Sequence, residues 1–299
     1  MPMERVHAMP PWRSHRRWGQ RLAAATLVAM LGNLGHRGCQ GAGPEPQPPL
    51  AFLWDDVSGV SEKVKAAFPG AMRGPDVFSR AVQAMKAYGV NRNNAIYGQS
   101  ICSDEINGDK GHISTLFTKY YGHVFPLGGI GGAPYVGKTG FGAFSHHVPD
   151  DGHVVILFGP HVGFTADGEP GKFLRQGQEG ESTACGAVIA AYNQCTSGRS
   201  MMPDPQDAQQ AWLRHKLRRY CDDISKSKAP MVELAMKAYK VVADEMLGIV
   251  NTDFGTGNLV LIGGIQINMP YPMSGYFLPL HFSIRGTGRK ARNLMDAFD

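Results

Sequence analysis

Hydrophobic and polar positions alternate between helical and strand patterns along most of the chain. Val77, Ala81 and Met85 recur at helical spacing within Asp76 to Tyr88, after a proline and before a glycine that suit helix ends. His153 to Phe158 is instead a continuous apolar run, which predicts a buried strand. Similar patterns predict strands at 95–102, 259–269 and 276–284, and helices at 104–121 (interrupted by two glycines), 185–192, 207–227 and 231–246. Strands that alternate with helices predict an α/β domain.

The start of the chain differs from the rest in charge and composition. Residues 1–38 hold six arginines and one acidic residue, which equals the net charge of +5 for all 299 residues. The uncharged stretch from Leu22 to Gly35 after these arginines is typical of a secretory signal or targeting peptide, and is shorter than the roughly 20 residues that span a bilayer. A disordered cytosolic N-terminus is the alternative. We therefore predict a targeting segment and linker at 1–45, one domain at 46–299, no stable membrane span and no nucleic-acid partner.

A glycine-rich segment in the middle of the chain matches the phosphate-binding loop formally. Gly132 is followed, after four residues, by Gly137, Lys138 and Thr139. A true phosphate loop needs a helix directly after it, and residues 140–145 show no helical pattern. The preferred interpretation is a glycine-rich wall that lets backbone approach a pocket, with Phe141 and Phe144 lining that pocket.

Three residues that suit metal binding lie at predicted element ends. Cys102 ends a strand, His161 follows the buried strand, and Cys185 begins a predicted helix, where the helix dipole stabilises a thiolate. Two cysteines and one histidine with a fourth position open to water form a ligand set of catalytic zinc sites. Each residue also has an ordinary interpretation, as a buried cysteine or a hydrogen-bonded core histidine. Adjacent His146 and His147 offer an alternative ligand or proton carrier, or else anchor a loop; the remaining cysteines receive no role.

Longer motifs resemble a known family. The segment 185–191 resembles the sequence after the second zinc cysteine of β-class carbonic anhydrases, and Cys102 followed by Asp104 resembles their first ligand motif. The runs 101–107, 125–147 and 159–163 resemble the limiting-CO2-inducible B/C family of algae, also called θ-class carbonic anhydrases. The resemblance covers roughly residues 50–290.

That resemblance implies a β-carbonic-anhydrase-like α/β fold, with a mostly parallel central sheet flanked by helices. It also implies a Zn2+ ion held by Cys102, His161 and Cys185, and an acid–arginine pair beside the metal. Asp104 fits the acid, but Ile106 stands where the β class commonly has the arginine. Our first choice for this arginine is Arg92, and Arg175 is the second.

The function implied is a zinc lyase, a carbonic anhydrase that interconverts CO2 and bicarbonate in an algal CO2-concentrating system. Phe141, Phe144 and Gly186 are predicted to contact CO2. The resemblance further implies a homodimer, or a hetero-oligomer with a paralogue. Together with the leader it predicts a plastid location, reached through the secretory pathway in a complex plastid, with a secreted or mitochondrial location as the alternative. A catalytically silent scaffold or partner protein of the same system is the alternative function.

Overall fold

The computed structural model describes residues 59–109, 111–197, 204–250 and 254–299. Its eight helices within these ranges are α1 Val60–Ala67, α2 Gly74–Lys86, α3 Ile113–Tyr121, α4 Gly137–Ser145, α5 Gly186–Thr196, α6 Ala208–Leu217, α7 Cys221–Lys226 and α8 Pro230–Ile249. Its strands are β1 Met72–Arg73, β2 Ala95–Ile101, β3 Phe125–Pro126, β4 His153–Gly159, β5 His161–Gly163, β6 Lys172–Phe173, β7 Ser182–Thr183, β8 Asn258–Asn268, β9 Tyr276–Gly286 and β10 Arg292–Asn293. The predicted leader and linker lie outside the described residues, so that division stays a prediction.

The centre of the molecule is a mostly parallel sheet with an antiparallel side. Strands run in the order β1-β9-β8-β4-β2-β3, and β3, β2, β4 and β8 are mutually parallel. Short β5 continues the parallel part by pairing with β8, while β9 pairs antiparallel with β8. The predicted α/β class and mostly parallel sheet are therefore confirmed.

Helices cover both faces of this sheet, and β4 therefore buries side chains on both sides. Val155 and Leu157 point into a core shared with α2 and α3. Val154, Ile156 and Phe158 point the opposite way, into a core shared with α4 and α8. This burial on both faces explains why the strand reads as an unbroken apolar run.

Two predicted helices are shorter in the structure because glycines or a tight turn interrupt them. In place of a helix at 104–121, a 3-10 turn at Glu105–Gly108 precedes α3, and Gly111 between them has a positive φ of 85°. In place of a helix at 207–227, the 3-10 turn Arg218–Tyr220 separates α6 from α7.

The expectation that no helix follows Thr139 is wrong. Residues Gly137–Ser145 form α4, although three of its residues are glycine. Phe141 and Phe144 lie three positions apart, share one face, and are fully buried against β4. Tertiary burial therefore holds a helix that residue propensity alone does not favour.

A disulfide bond joins Cys195 near the end of α5 to Cys221 at the start of α7. The sequence alone predicts no role for either of these two cysteines. Cys102 and Cys185 are free and buried. Among the described residues, no helix combines the length and apolar character needed to cross a membrane.

Candidate metal centre

Three ends of secondary-structure elements meet at one edge of the sheet. Cys102 directly follows β2, and Cys185 directly precedes α5. His161 is the first residue of β5, and a single residue separates it from the end of β4. Because β2 and β4 are parallel, their carboxyl ends lie side by side, which is where α/β proteins build binding sites. One potential ligand atom from each of these buried residues lies within 4.8 Å of the other two. The structure thus brings together the three residues that the sequence proposes as ligands.

One ring nitrogen of His161 is free to bind a metal ion. Its Nδ1 lies 2.7 Å from the Oδ1 atom of Asn268, whereas the buried Nε2 has no hydrogen-bond partner. A buried polar atom without a partner is costly in a folded protein. Coordination of a cation by Nε2 would remove that cost, so the histidine fits a metal site.

The two sulfur atoms also fit a bound cation. Cys102 Sγ and Cys185 Sγ lie 3.6 Å apart, and two thiolates on one tetrahedral zinc ion, each at about 2.3 Å, lie about 3.8 Å apart. The hydrogen bond with Cys185, together with burial, raises the pKa of the Cys102 thiol. The same bond, helped by amides of the first turn of α5, lowers the pKa of Cys185. These opposite shifts make Cys185 the easier of the two thiols to deprotonate, as binding of a cation requires.

Glycine backbone approaches this site closely. The amide of Gly131 lies 3.2 Å from Cys102 Sγ and donates to it. Gly131 and Gly132 have positive φ angles of 66° and 78°, and a Cβ atom on Gly132 would lie 2.2 Å from the carbonyl oxygen of Gly159. Side chains at these positions would push the loop away from the sulfur.

Asp104 and Arg175 form an ion pair beside the three candidate ligands. Asp104 Oδ2 lies 3.6 Å from His161 Nε2 and 2.8 Å from the Arg175 guanidinium. Arg175 also reaches Glu105 Oε1 at 2.8 Å, the Ser182 hydroxyl and the Thr183 carbonyl. Asp104 and Glu105 follow Cys102 by two and three residues, and Ser182 lies in β7. This one arginine therefore links the segment after β2 to the β6–β7 hairpin.

The first choice of arginine partner is therefore wrong, and the second is confirmed as the partner of Asp104. Arg92 is exposed in the turn before β2, whereas Asp104 follows the far end of that strand. The seven residues of β2 alone extend about 23 Å. Arg92 thus lies at the wrong edge of the sheet to contact the acid.

The two predicted pocket phenylalanines belong to the core. Phe141 and Phe144 pack with Leu127 and Ile156, in a cluster separate from the one that holds Cys102 and Cys185. The packing therefore does not support a wall of the site formed by these rings. Gly186, the first residue of α5, is adjacent to Cys185, and its contact with substrate stays a prediction.

The adjacent histidines His146 and His147 do not belong to the cluster that contains His161. His146 and His147 follow α4 and precede β4, whose seven residues separate them along the chain from His161. A role of either as proton carrier finds no support in this placement.

Sequence reasoning missed Asn268 and Asn107, two buried amides next to the ligands. Asn268 contacts His161 Nδ1, and Asn107 Nδ2 donates to the carbonyl oxygen of Cys102 at 3.1 Å. The available signal was the polar pair Gln266 and Asn268 inside the apolar run of β8, because such residues need buried partners.

Comparison with known proteins places the chain in a family. The family model of the limiting CO2-inducible proteins B/C, beta carbonic anhydrases, matches residues 71–286. The chain belongs to this family. The crystal structure of PtLCIB4, a homologue of the limiting CO2-inducible protein LCIB, is 32% identical with a TM-score of 0.73, covering 78% of this chain and 98% of PtLCIB4. The crystal structure of LCIB itself is 21% identical with a TM-score of 0.61, covering 77% and 96%. No curated protein matches the chain.

Proposed function

We propose that this protein is a zinc carbonic anhydrase that interconverts CO2 and bicarbonate. The observation that carries the proposal is the buried group of Cys102, His161 and Cys185 beside the Asp104–Arg175 ion pair. The family description as beta carbonic anhydrases supports the same reaction.

The donor set defines the cofactor that would bind. Two thiolates and one imidazole suit Zn2+, which prefers sulfur and nitrogen ligands in tetrahedral geometry and keeps a fourth position open in catalytic sites. When bound, Zn2+ would lower the pKa of a coordinated water and so supply a nucleophile at neutral pH.

Asp104 is the residue placed to handle the proton of that nucleophile. Its Oδ2 lies 3.6 Å from the free nitrogen of His161, so the carboxylate would lie close to a water molecule bound to that metal. A carboxylate so close to a metal can also bind it and fill that position. The ion pair with Arg175 would restrain Asp104 from doing so, so that the carboxylate could accept a hydrogen bond and orient the nucleophile.

The biological setting proposed is an algal CO2-concentrating system, with the protein in the plastid and acting as a homodimer or with a paralogue. Support comes from family membership and from the basic leader followed by an apolar stretch. Zinc binding requires that Cys102 and Cys185 stay reduced, whereas Cys195 and Cys221 are oxidised to a disulfide.

The test is CO2 hydration by the purified protein together with a measurement of zinc content. We expect about one zinc ion per chain and hydration well above the uncatalysed rate. His161→Gln should lose the zinc, whereas the control His281→Gln should keep it, because His281 bonds Ser283 on β9 and is not part of the cluster.

The results of this test distinguish an active carbonic anhydrase from a catalytically silent protein of the same family. Zinc without hydration would favour a catalytically silent scaffold or partner protein of the same system. Failure of the wild-type protein to retain zinc, or zinc retained by His161→Gln, would contradict the metal site itself.

A further inference from the structure

A hydrogen-bonded set of buried polar side chains reaches His161 through Asn268. Gln266 and Asn268 from β8 are fully buried, and Asn107 and Ser114 are nearly so. Burying amides costs free energy unless they are hydrogen-bonded, so such a set in a core calls for a specific purpose.

The hydrogen bonds of Asn268 fix the orientation of its amide. Its Nδ2 atom lies 3.1 Å from Asn107 Oδ1 and 3.3 Å from the carbonyl oxygen of Ile106. Both partners only accept hydrogen bonds, so the nitrogen of the amide must face them. The Oδ1 atom of Asn268 therefore faces His161.

This orientation determines which nitrogen of His161 carries the proton. Asn268 Oδ1 lies 2.7 Å from His161 Nδ1, and an amide oxygen can only accept, so Nδ1 must donate. In the neutral ring the other nitrogen then has a lone pair. That nitrogen, Nε2, is the buried atom without a hydrogen-bond partner at the metal site.

Asn107 holds Asn268 in place and links it to a second ligand. Its Oδ1 atom accepts from Asn268 and from Gln266 Nε2 at 2.6 Å, while its Nδ2 donates to the Cys102 carbonyl at 3.1 Å. The Ser114 hydroxyl lies 3.0 Å from Gln266 Oε1 and completes the set. One network thus contacts the side chain of one proposed ligand and the backbone of another.

We infer that Asn268 is a positioning residue that holds His161 in the Nδ1–H tautomer, with the Nε2 lone pair directed at the metal position. The inference rests on the proposed metal site, but the tautomer itself is a property of the metal-free protein. Asn107 and the Ile106 carbonyl hold the amide of Asn268, Gln266 in turn bonds Asn107, and Asn268 acts only through His161. Outer partners of this kind change metal affinity about 10- to 100-fold when they are removed.

Two substitutions separate this role from a merely structural one. Asn268→Leu removes both the acceptor for His161 and the donor to Asn107. Asn268→Asp replaces the donor by a second carboxylate oxygen and keeps an acceptor facing Nδ1. Both variants should lose stability, but only Asn268→Leu should release the tautomer. Ser283→Ala is the matched control, because it removes the 2.7 Å contact of another histidine, His281, on the neighbouring strand.

The first measurement is the tautomer of His161, from ring ¹⁵N chemical shifts of the metal-free, histidine-labelled full chain near pH 8. The His161→Gln spectrum assigns the signals. We expect Nδ1–H in the wild type, in Asn268→Asp and in Ser283→Ala, and a large Nε2–H population in Asn268→Leu. An Nε2–H wild type would overturn the inference without any variant, including the case in which Asn268→Leu fails to fold.

The second measurement is zinc affinity by competition with a chelator. We expect a loss of about 10- to 100-fold for Asn268→Leu, and a change within about threefold for Asn268→Asp and Ser283→Ala. Equal affinity of wild type and Asn268→Leu would contradict the positioning role while leaving the proposed function intact. A wild type that binds no zinc would instead refute the proposed function, and the tautomer measurement would still stand.

Discussion

At the scale of single residues, the ion pair of Asp104 makes the first prediction. Asp104→Asn should keep zinc but lower the CO2 hydration rate about 100-fold or more, because the amide cannot accept the proton that the carboxylate accepts. Arg175→Gln should also lower the rate, since it frees Asp104 to approach the metal position. Stopped-flow hydration assays with zinc analysis check both results.

Arg92→Gln is the matched control for the arginine. Arg92 is exposed before the start of β2 and should be replaceable with less than a twofold change in rate. A loss of activity in Arg92→Gln with full activity in Arg175→Gln would show that the observed ion pair is not the one used in catalysis.

His112 makes a prediction about pH. Burial, helped by the nearby charge of His161, lowers the pKa of His112 to about 4, from about 6.5 in an unfolded chain. The unfolded state therefore binds the proton first. The stabilising contribution is complete above pH 6.5, and as pH falls it is lost progressively until about pH 4, amounting to about 3 kcal/mol. Urea unfolding from pH 4 to 7 should show a shallower pH dependence in His112→Gln than in wild type; identical curves would contradict this assignment.

The cluster of two cysteines and a histidine could be predicted from residue types at element ends, whereas the arginine beside it could not. Cys102, His161 and Cys185 each adjoin a strand or helix that the hydrophobic pattern reveals. Arg175 instead reaches Asp104 across 71 positions of sequence, from a segment after a two-residue strand with no pattern of its own. A long side chain on such a segment can pair in several places, so sequence alone could not choose between Arg92 and Arg175.

At the scale of elements, the disulfide makes a prediction about α5, the helix that begins after Cys185. Its bond from Cys195 to Cys221 closes a 26-residue separation, which in chain-entropy terms contributes about 3 kcal/mol. The double variant Cys195→Ser, Cys221→Ser should therefore lose that much free energy of unfolding, measured in urea, and still bind zinc.

The reducing agent dithiothreitol provides the control for that prediction. It should destabilise the wild type to the level of the double variant and leave the double variant unchanged. If the double variant lost zinc while remaining folded, the disulfide would be needed to hold Cys185 in the metal site, which the structure does not require.

Helix α4 shows where element-level reasoning fails. Its sequence carries three glycines in nine residues and matches no strong helical pattern, yet it is helical. The two phenylalanines that suggested a pocket wall instead supply the burial that holds this helix on the sheet. A pair of aromatics three residues apart fits either interpretation, and only the position of the sheet distinguishes them.

At the scale of the whole molecule, the fold follows from order and connection length. Alternating strands and helices predict the parallel sheet, and only residues 269–275 separate β8 from β9. That connection is too short for a parallel crossover, so β9 must turn back and pair antiparallel. The edge pairings of two-residue β1 and β10 carry no sequence pattern of their own and emerge only in the assembled sheet.

The last prediction concerns glycines, because replacing one by alanine should lower the free energy of unfolding at one position and raise it at another. Gly159, where β4 gives way to the segment carrying His161, has a φ of 148°, and a Cβ atom there would lie 1.7 Å from the carbonyl oxygen of Gly264 on β8. Gly159→Ala should therefore lower the free energy of unfolding by at least about 2 kcal/mol and weaken zinc binding, since the strands that position the site must separate.

Gly142 lies inside α4, where a Cβ atom would meet no neighbouring atom within 4 Å, so Gly142→Ala should stabilise the protein by roughly 0.5–1 kcal/mol. Urea unfolding measures the change in the free energy of unfolding for both variants. If Gly159→Ala left this free energy unchanged, the two strands would not approach as closely as the structure shows.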